Sequence, residues 1–472
     1  INTGKFRTDT NRMRMDGNQY FLRSPAQMYE CFPGLDDAVA RSQQIADSVS
    51  IDLELGKRHF PTYRIPSSQT ASQYLRELCE AGLKERYANN PKRYADGELS
   101  QEVKDRLDRE LRVIEKLGFP NYFLIVWDFV RQARALDVPA TARGSGVGAI
   151  VCYALYLSHV CPIEYDLLFE RFLDESRLEA PDIDIDFCQE RRAEIIKYVK
   201  DKYGEANVAQ IGTFGTLAAR AAIKDVGRAL SIPLDRVSQV TELVPEDLGI
   251  TLKGALEKSP DLKKLYDSDP AIKELLDLAQ KIEGLARNVG THAAAVVIAD
   301  QPLTEYVPLA RVSGKLDVIT QWEMGDVEAA GLLKMDFLGL RNLTIIQESL
   351  RFIKENQNKE IDFQKLSYDD PPTYKLLASG ETTGIFQLES SGMRRYIKEL
   401  KPTTIFDVMA MVALYRPGPM QNIPDFIARK HDPSRITFPD PRLEQILANS
   451  YGILTFQDDV LLTTIALAGY TW

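Results

Sequence analysis

The sequence predicts a multidomain α+β protein, and three observations carry that expectation. Its 472 residues are enough for three or four domains. Two distant stretches, 181–187 and 331–338, alternate apolar and charged residues with the period of a half-buried strand. Around them run amphipathic segments punctuated by proline, the pattern of helices joined by short loops.

Taken in order, residues 1–52 hold charged loop and helix pieces, with Ser24-Pro25-Ala26 opening a helix. Helices are expected over 74–87 and 101–117. Residues 136–141 form a short strand candidate broken by Pro139, before the glycine-rich run Arg143-Gly144-Ser145-Gly146-Val147-Gly148-Ala149. An apolar helical run, 149–157, follows. Glycines just before a helix let backbone N–H groups approach an anion, and the helix N-terminus favours negative charge. Arg143 could add a charge-assisted bond. The run also fits G-x-G-x-x-A, a weak dinucleotide fingerprint. With no G-K-[ST] behind it, it reads better as a triphosphate seat beside the acidic strand that comes next.

In that strand, 181–187, Asp182, Asp184 and Asp186 share one face and Ile183, Ile185 and Phe187 the other. Two carboxylates about 4–5 Å apart repel by roughly 3–4 kcal/mol at an effective dielectric near 20. Divalent cations relieve that repulsion, and oxygen-only ligands suit Mg²⁺. A calcium loop would need Gly where Phe187 stands. A solvated acidic edge strand and carboxylates capping the next helix stay open as alternatives. In the second strand, 331–338, Leu333, Met335 and Phe337 point one way, and Lys334 and Asp336 the other. This pair reads either as a local salt bridge or as a third metal carboxylate with a cation placed for phosphate charge.

A helix over 190–203 follows the acidic strand, and the insertion 214–291 is helical, with breaks at Pro233, Pro245 and Pro260. Within it Arg220, Lys224 and Arg228 recur every four residues and lay a basic stripe on one helix face. The stripe is either a solvated surface or a grip on phosphate backbone. A formal net charge of −10 argues mildly against a simple nucleic-acid binder, although local distribution outweighs the sum. Hydrophobic content of 44% and charged content of 27% are ordinary for a globular protein. Five cysteines without CxxC spacing read as free thiols in a reducing, cytoplasmic setting. Four histidines leave no material for a multi-histidine zinc site. No apolar run approaches the roughly 20 residues that span a bilayer.

Several motifs in one order resemble the alpha subunits of bacterial DNA polymerase III, the C-family replicative polymerases. They are Asn121-Tyr122-Phe123-Leu124-Ile125-Val126, Arg143-Gly144-Ser145-Gly146, Phe169-Glu170-Arg171-Phe172, the acidic strand and Thr213-Phe214-Gly215-Thr216. His292 with the strand 293–299, Lys334-Met335-Asp336-Phe337, Phe386-Gln387-Leu388-Glu389-Ser390 and Tyr415-Arg416-Pro417-Gly418-Pro419 continue the series. The resemblance implies a polymerase-beta-like nucleotidyltransferase palm (a mixed sheet with helices), a helical thumb and largely helical fingers. The implied boundaries are 1–52 for the tail of an N-terminal PHP domain, 53–213 and 292–341 for the palm, 214–291 for the thumb and 342–472 for incomplete fingers.

It implies Asp182, Asp184 and Asp336 as catalytic carboxylates holding two Mg²⁺ ions, with Asp186 outside the essential trio. Gly144 and Ser145 match the pair that seats the incoming triphosphate, and Arg171 and Lys334 match basic residues placed around it. Arg220, Lys224 and Arg228 fall in the thumb, which grips duplex DNA. His292, where the chain returns to the palm, reads as a structural residue. Arg394, Arg395, Lys398, Lys401, Arg429, Lys430 and His431 fall in the fingers, either as solvated surface or as template contacts. Asp458-Asp459 stands where the family usually has Glu-Gln. The implied partners are primer–template DNA and dNTPs and, in a longer protein, a sliding clamp, clamp loader and proofreading exonuclease. This stretch by itself is expected to bind primer–template weakly and to lack processivity. An error-prone paralogue of the same family, a non-catalytic nucleic-acid scaffold and a dinucleotide-dependent enzyme are the alternatives.

Overall fold

The computed structural model describes every residue except 2, 54, 67, 177–180, 313–316, 364–365 and 472. The chain divides into two compact units. One comprises Arg58–Gln210, Ala293–Tyr306 and Leu332–Trp472; the other comprises Ile1–Lys57, Ile211–His292 and Val307–Gly331.

The first unit carries a mixed sheet. Its strand Ala140–Arg143 pairs antiparallel with Asp184–Cys188, which pairs parallel with Lys334–Leu340. That strand in turn pairs antiparallel with residues 295–297 of the strand Ala286–Ile298. Ile183, Ile185, Phe187, Met335 and Phe337 are all buried, so one sheet face belongs to the core as the alternation requires. Phe187 stacks on Phe337 with centroids 5.4 Å apart, and Phe129 packs against Phe337 at 4.8 Å. Slipping either strand by one residue would turn these rings to the opposite face, so the ring contacts lock the register.

Helix Pro120–Ala135 supplies Phe129 and starts with proline at its first position, where a missing N–H costs nothing. Helix Ala71–Arg86 begins with a Thr70/Gln73 capping box, and Gln101–Lys116 with a Ser100 cap. Helix Arg192–Tyr203 is tied to Pro120–Ala135 through the buried Asp128, which takes hydrogen bonds from Tyr198 and Tyr203 and an ion pair from Lys202. Beyond the sheet, helices Pro371–Ser379, Ser391–Leu400, Ile405–Leu414 and Ile423–His431 enclose a separate apolar cluster around Met393, Ile397, Met411, Leu414 and Phe426.

The second unit is mainly helical. Ala219–Ala229, Leu234–Glu242, Leu252–Lys258, Pro260–Ser268 and Pro270–Ile282 share one core through Ile223, Val226, Val240, Leu275 and Leu276. Pro233 precedes one of these helices and Pro260 opens another, so both prolines mark boundaries. The short strands Leu309–Arg311 and Val318–Thr320 pair antiparallel here. None of the five cysteines is in a disulfide; Cys31 is exposed and the other four are buried. Among the described residues no helix is long and apolar enough to cross a membrane.

Candidate active site

Three backbone features build the site across three adjacent strands of the mixed sheet. Parallel pairing sets Asp184 directly beside Asp336, although they are 152 positions apart in sequence. Antiparallel pairing on the other side sets Arg143 opposite Asp184. At Gly144 the chain then turns, with φ +79°, into the short 3-10 helix Gly144–Gly148. That positive φ is strained for any residue with a Cβ. A Cβ here would stand 3.7 Å from Asp184 Oδ2, so the backbone passes close by the carboxylate.

The same turn explains a departure from the expected strand. Regular structure begins at Asp184, and Asp182 lies just before it. In the antiparallel register Asp182 would face Ser145, which has already left the sheet. Asp182 is therefore free of ladder pairing and its side chain is 61% exposed.

Asp182, Asp184 and Asp336 each bring a carboxylate oxygen within 4.8 Å of the others. Asp336 is 9% exposed, and its Oδ1 is buried with no hydrogen-bond partner. A buried carboxylate oxygen without a donor is costly unless a cation reaches it. Lys334 is the cation of this cluster: its Nζ donates to Asp336 Oδ2 at 2.6 Å and to Asp182 Oδ1 at 3.3 Å. Burial works against the ammonium, yet the two carboxylates outweigh it and raise the Lys334 pKa. Asp184 is pushed up to about 6, first by burial and then by the neighbouring carboxylates of Asp336 and Asp182, with Arg143 opposing. An all-oxygen cluster with an orphaned buried oxygen and a carboxylate reluctant to ionise suits a hard divalent cation.

Asp186 does not join the trio. It is 3% exposed, and Arg143 grips it through Nε at 3.0 Å and Nη2 at 3.3 Å. Arg143 sits opposite Asp184 and reaches diagonally along the antiparallel pair to Asp186. The bond to Asp186 comes first among the causes that raise the Arg143 pKa. The guanidinium stays half exposed.

The glycine-rich run behaves differently from the expectation of an open helix N-terminus. Helix Ile150–Ala154 is only 5 residues long, and its first N–H groups, of Ile150 and Val151, donate to Glu110 at 2.9 and 3.1 Å. Glu110 is completely buried and also takes a 2.6 Å bond from Arg106. A protein carboxylate thus occupies this helix N-terminus, while in the 3-10 turn before it Gly144 passes beside Asp184 and Ser145 is half-buried. Arg171 pairs with Asp458 at 3.2 Å.

In the helical unit, Lys224 and Arg228 are exposed and Arg220 is half-buried. Two members of the stripe are engaged: Arg220 donates to the Val244 carbonyl at 2.7 Å, and Arg228 pairs with Asp225 at 3.0 Å. His292 is half-buried on the strand Ala286–Ile298.

Glu110 escaped the sequence reading, and Tyr122 entered it only as part of the motif 121–126, with no role of its own. The buried Tyr122 accepts a hydrogen bond from Ile183 N at 3.2 Å and so fixes the backbone between Asp182 and Asp184. Its sequence signals were its place in that motif and a hydroxyl inside a mostly apolar helical stretch.

Comparison with known proteins converges on one family. Residues 73–339 match the bacterial DNA polymerase III alpha NTPase domain, and residues 342–472 match the bacterial DNA polymerase III alpha subunit finger domain. The DNA polymerase III subunit alpha of Halalkalibacterium halodurans is 45% identical over 446 residues, covering 94% of this chain and 39% of that protein. Its counterpart from Bacillus subtilis is 43% identical over 451 residues, covering 95% and 40%. That of Xylella fastidiosa strain Temecula1 is 42% identical over 489 residues, covering 100% and 41%. The chain spans about two fifths of the length of the curated relatives it matches. On the strength of these matches, the chain belongs to the bacterial DNA polymerase III alpha family.

Proposed function

We propose that this chain carries the nucleotidyl-transfer centre of a template-directed DNA polymerase, adding dNTPs to a primer 3′-hydroxyl. The observation that carries the reading is the meeting of Asp182, Asp184 and Asp336, with Asp336 Oδ1 buried and unpartnered. Bound among these carboxylates, two Mg²⁺ ions would supply activation of the primer hydroxyl and neutralisation of the departing pyrophosphate. The chain's own part is positioning and charge. Paired strands hold Asp184 and Asp336 side by side, and Tyr122 anchors the backbone next to Asp182. Gly144 and Ser145 offer a turn close to Asp184 where a triphosphate can lie, with Arg143 on its rim. Lys334, already bonded to two of the carboxylates, is the cation beside them for phosphate charge. Arg171 adds a further cation once it leaves Asp458.

The mixed sheet around the trio would then be the palm (53–213 and 292–341), the helical segment 214–291 the thumb and 342–472 the fingers. The finger-domain match supports the last of these. Lys224, with Arg220 and Arg228 beside it, is the proposed contact to duplex backbone. In the longer protein the expected partners are primer–template DNA, dNTPs, a sliding clamp, a clamp loader and a proofreading exonuclease. The test is primer extension by the full-length protein with Mg²⁺ titrated, beside Asp184→Ala. The variant should lose turnover by orders of magnitude while primer–template affinity holds. A scaffold without catalysis would show no Mg²⁺-dependent extension in either protein, and a dinucleotide enzyme would bind NAD regardless of Asp184.

A further inference from the structure

Two arginines proposed to meet the triphosphate are each held by a carboxylate, but in different ways. Arg143 is gripped by a two-bond fork from Asp186, a side chain 5% exposed on the neighbouring strand. Among the described residues Arg171 is held through one contact, Nη1 to Asp458 Oδ1 at 3.2 Å, with side chains 30% and 18% exposed. Asp458 comes from helix Gln457–Ala468, 287 positions away. Asp459 is the one buried residue of that helix, residues 461–466 are half-buried, and Val460 and Leu467 are exposed. Asp459 serves its own helix, accepting from Thr455 N and Phe456 N at its start. Asp458 serves Arg171, and among the described residues no second cation is bonded to it.

We infer that Asp458 is an exchangeable counter-ion for Arg171, holding the guanidinium until a nucleotide triphosphate takes its place. The inference rests on the polymerase reading and on Arg171 as a phosphate contact. A guanidinium engaged by one Nη1 keeps donors free for phosphate oxygens, which match its planar fork. A triphosphate brought to the same guanidinium places like charge beside the Asp458 carboxylate and disfavours its staying. Asp186 is not exchanged in this way, because it lies buried in the sheet and holds Arg143 through two bonds rather than one. Asp458 is accordingly a positioning residue that sets nucleotide affinity through Arg171.

The test measures the equilibrium Kd for dATP with Mg²⁺ opposite a template thymidine, and kcat separately, in the full-length protein. Asp458→Asn should tighten nucleotide binding by about threefold to tenfold, the scale of a partly exposed ion pair. Arg171→Ala should weaken it by more than about tenfold. In the Arg171→Ala background, Asp458→Asn should change nothing further. Asp458→Ser also removes the charge and should tighten binding on the same scale if the Asn variant folds poorly, whereas Asp458→Glu, which keeps the charge, should retain the wild-type Kd. Weaker or unchanged binding in Asp458→Asn, while Arg171→Ala binds poorly, overturns the exchange and leaves the Arg171 assignment standing. Unchanged binding in Arg171→Ala overturns that assignment itself.

Discussion

Asp336→Asn keeps the shape of the side chain and removes its charge, and the structure sets what that should do. Asp336 faces two carboxylates whose oxygens lie within 4.8 Å. At an effective dielectric near 20, each pair repels by about 3.5 kcal/mol, or about 7 kcal/mol together. Against this stands Lys334 at 2.6 Å, an attraction of about 6 kcal/mol on the same scale. The two nearly cancel, the Asn oxygen still accepts from Lys334, and Lys334 keeps Asp182 at 3.3 Å. In EDTA the melting temperature should therefore move by no more than about 3 °C. Activity should fall by about three orders of magnitude or more, since a carboxylate that binds the catalytic cation acts on the barrier by several kcal/mol. The assays are thermal melting in EDTA and single-turnover primer extension across a Mg²⁺ titration. If Lys334–Asp336 were only a structural ion pair, the variant would lose about 3–5 kcal/mol of stability. Such a loss together with wild-type extension would refute the metal-site reasoning.

Two further outcomes are expected. Tyr122→Phe removes the acceptor for Ile183 N, leaving a buried N–H unpaired at a cost of about 1–3 kcal/mol, and should slow nucleotide addition through a displaced Asp182; denaturation and kcat measure the two effects. For Asp184 the folded pKa is raised, from 3.8 to about 6, so its contribution to stability is fully present below 3.8 and is lost as pH rises through about 6. Linkage sets a ceiling near 3 kcal/mol, and solvent screening at this half-exposed group reduces it to about 1–2 kcal/mol. The melting-point gap between Asp184→Asn and wild type in EDTA should thus be in the variant's favour at pH 7 and close as pH falls to 4. Mg²⁺ affinity of the wild type should weaken over the same interval, and a flat profile in both would contradict the shift.

How much of the site could be read in advance depends on which interaction placed each residue. The alternation of Ile183, Ile185 and Phe187 with three aspartates sets an inward and an outward face whatever surrounds the strand. It does not say which aspartates act together. That division came from the neighbours: Arg143, brought alongside by antiparallel pairing, claims Asp186, and Lys334 and Asp336 draw in Asp182 and Asp184. The glycine-rich run marked a tight turn, and Gly144 has the positive φ that only glycine adopts freely. Nothing in that run revealed that Glu110, from a helix 40 positions upstream, would occupy the next helix's N-terminus. Likewise the four-residue recurrence of Arg220, Lys224 and Arg228 set their common face, while Val244 and Asp225 decided which of them stay available.

By itself, then, the amino-acid order determined the local periodicities, the helix starts at Ser24 and Ser100, and the presence of an acidic strand and a lysine-bearing partner strand. Those follow from dihedral preference, capping and the burial of alternate side chains, all of which act over a few residues. Only the tertiary structure decided that Asp184 and Asp336 stand side by side, that Arg171 meets Asp458, and that Asp336 keeps one oxygen buried without a donor. These are through-space contacts between segments more than 150 positions apart, and their electrostatics exist only once packing has removed the water between them.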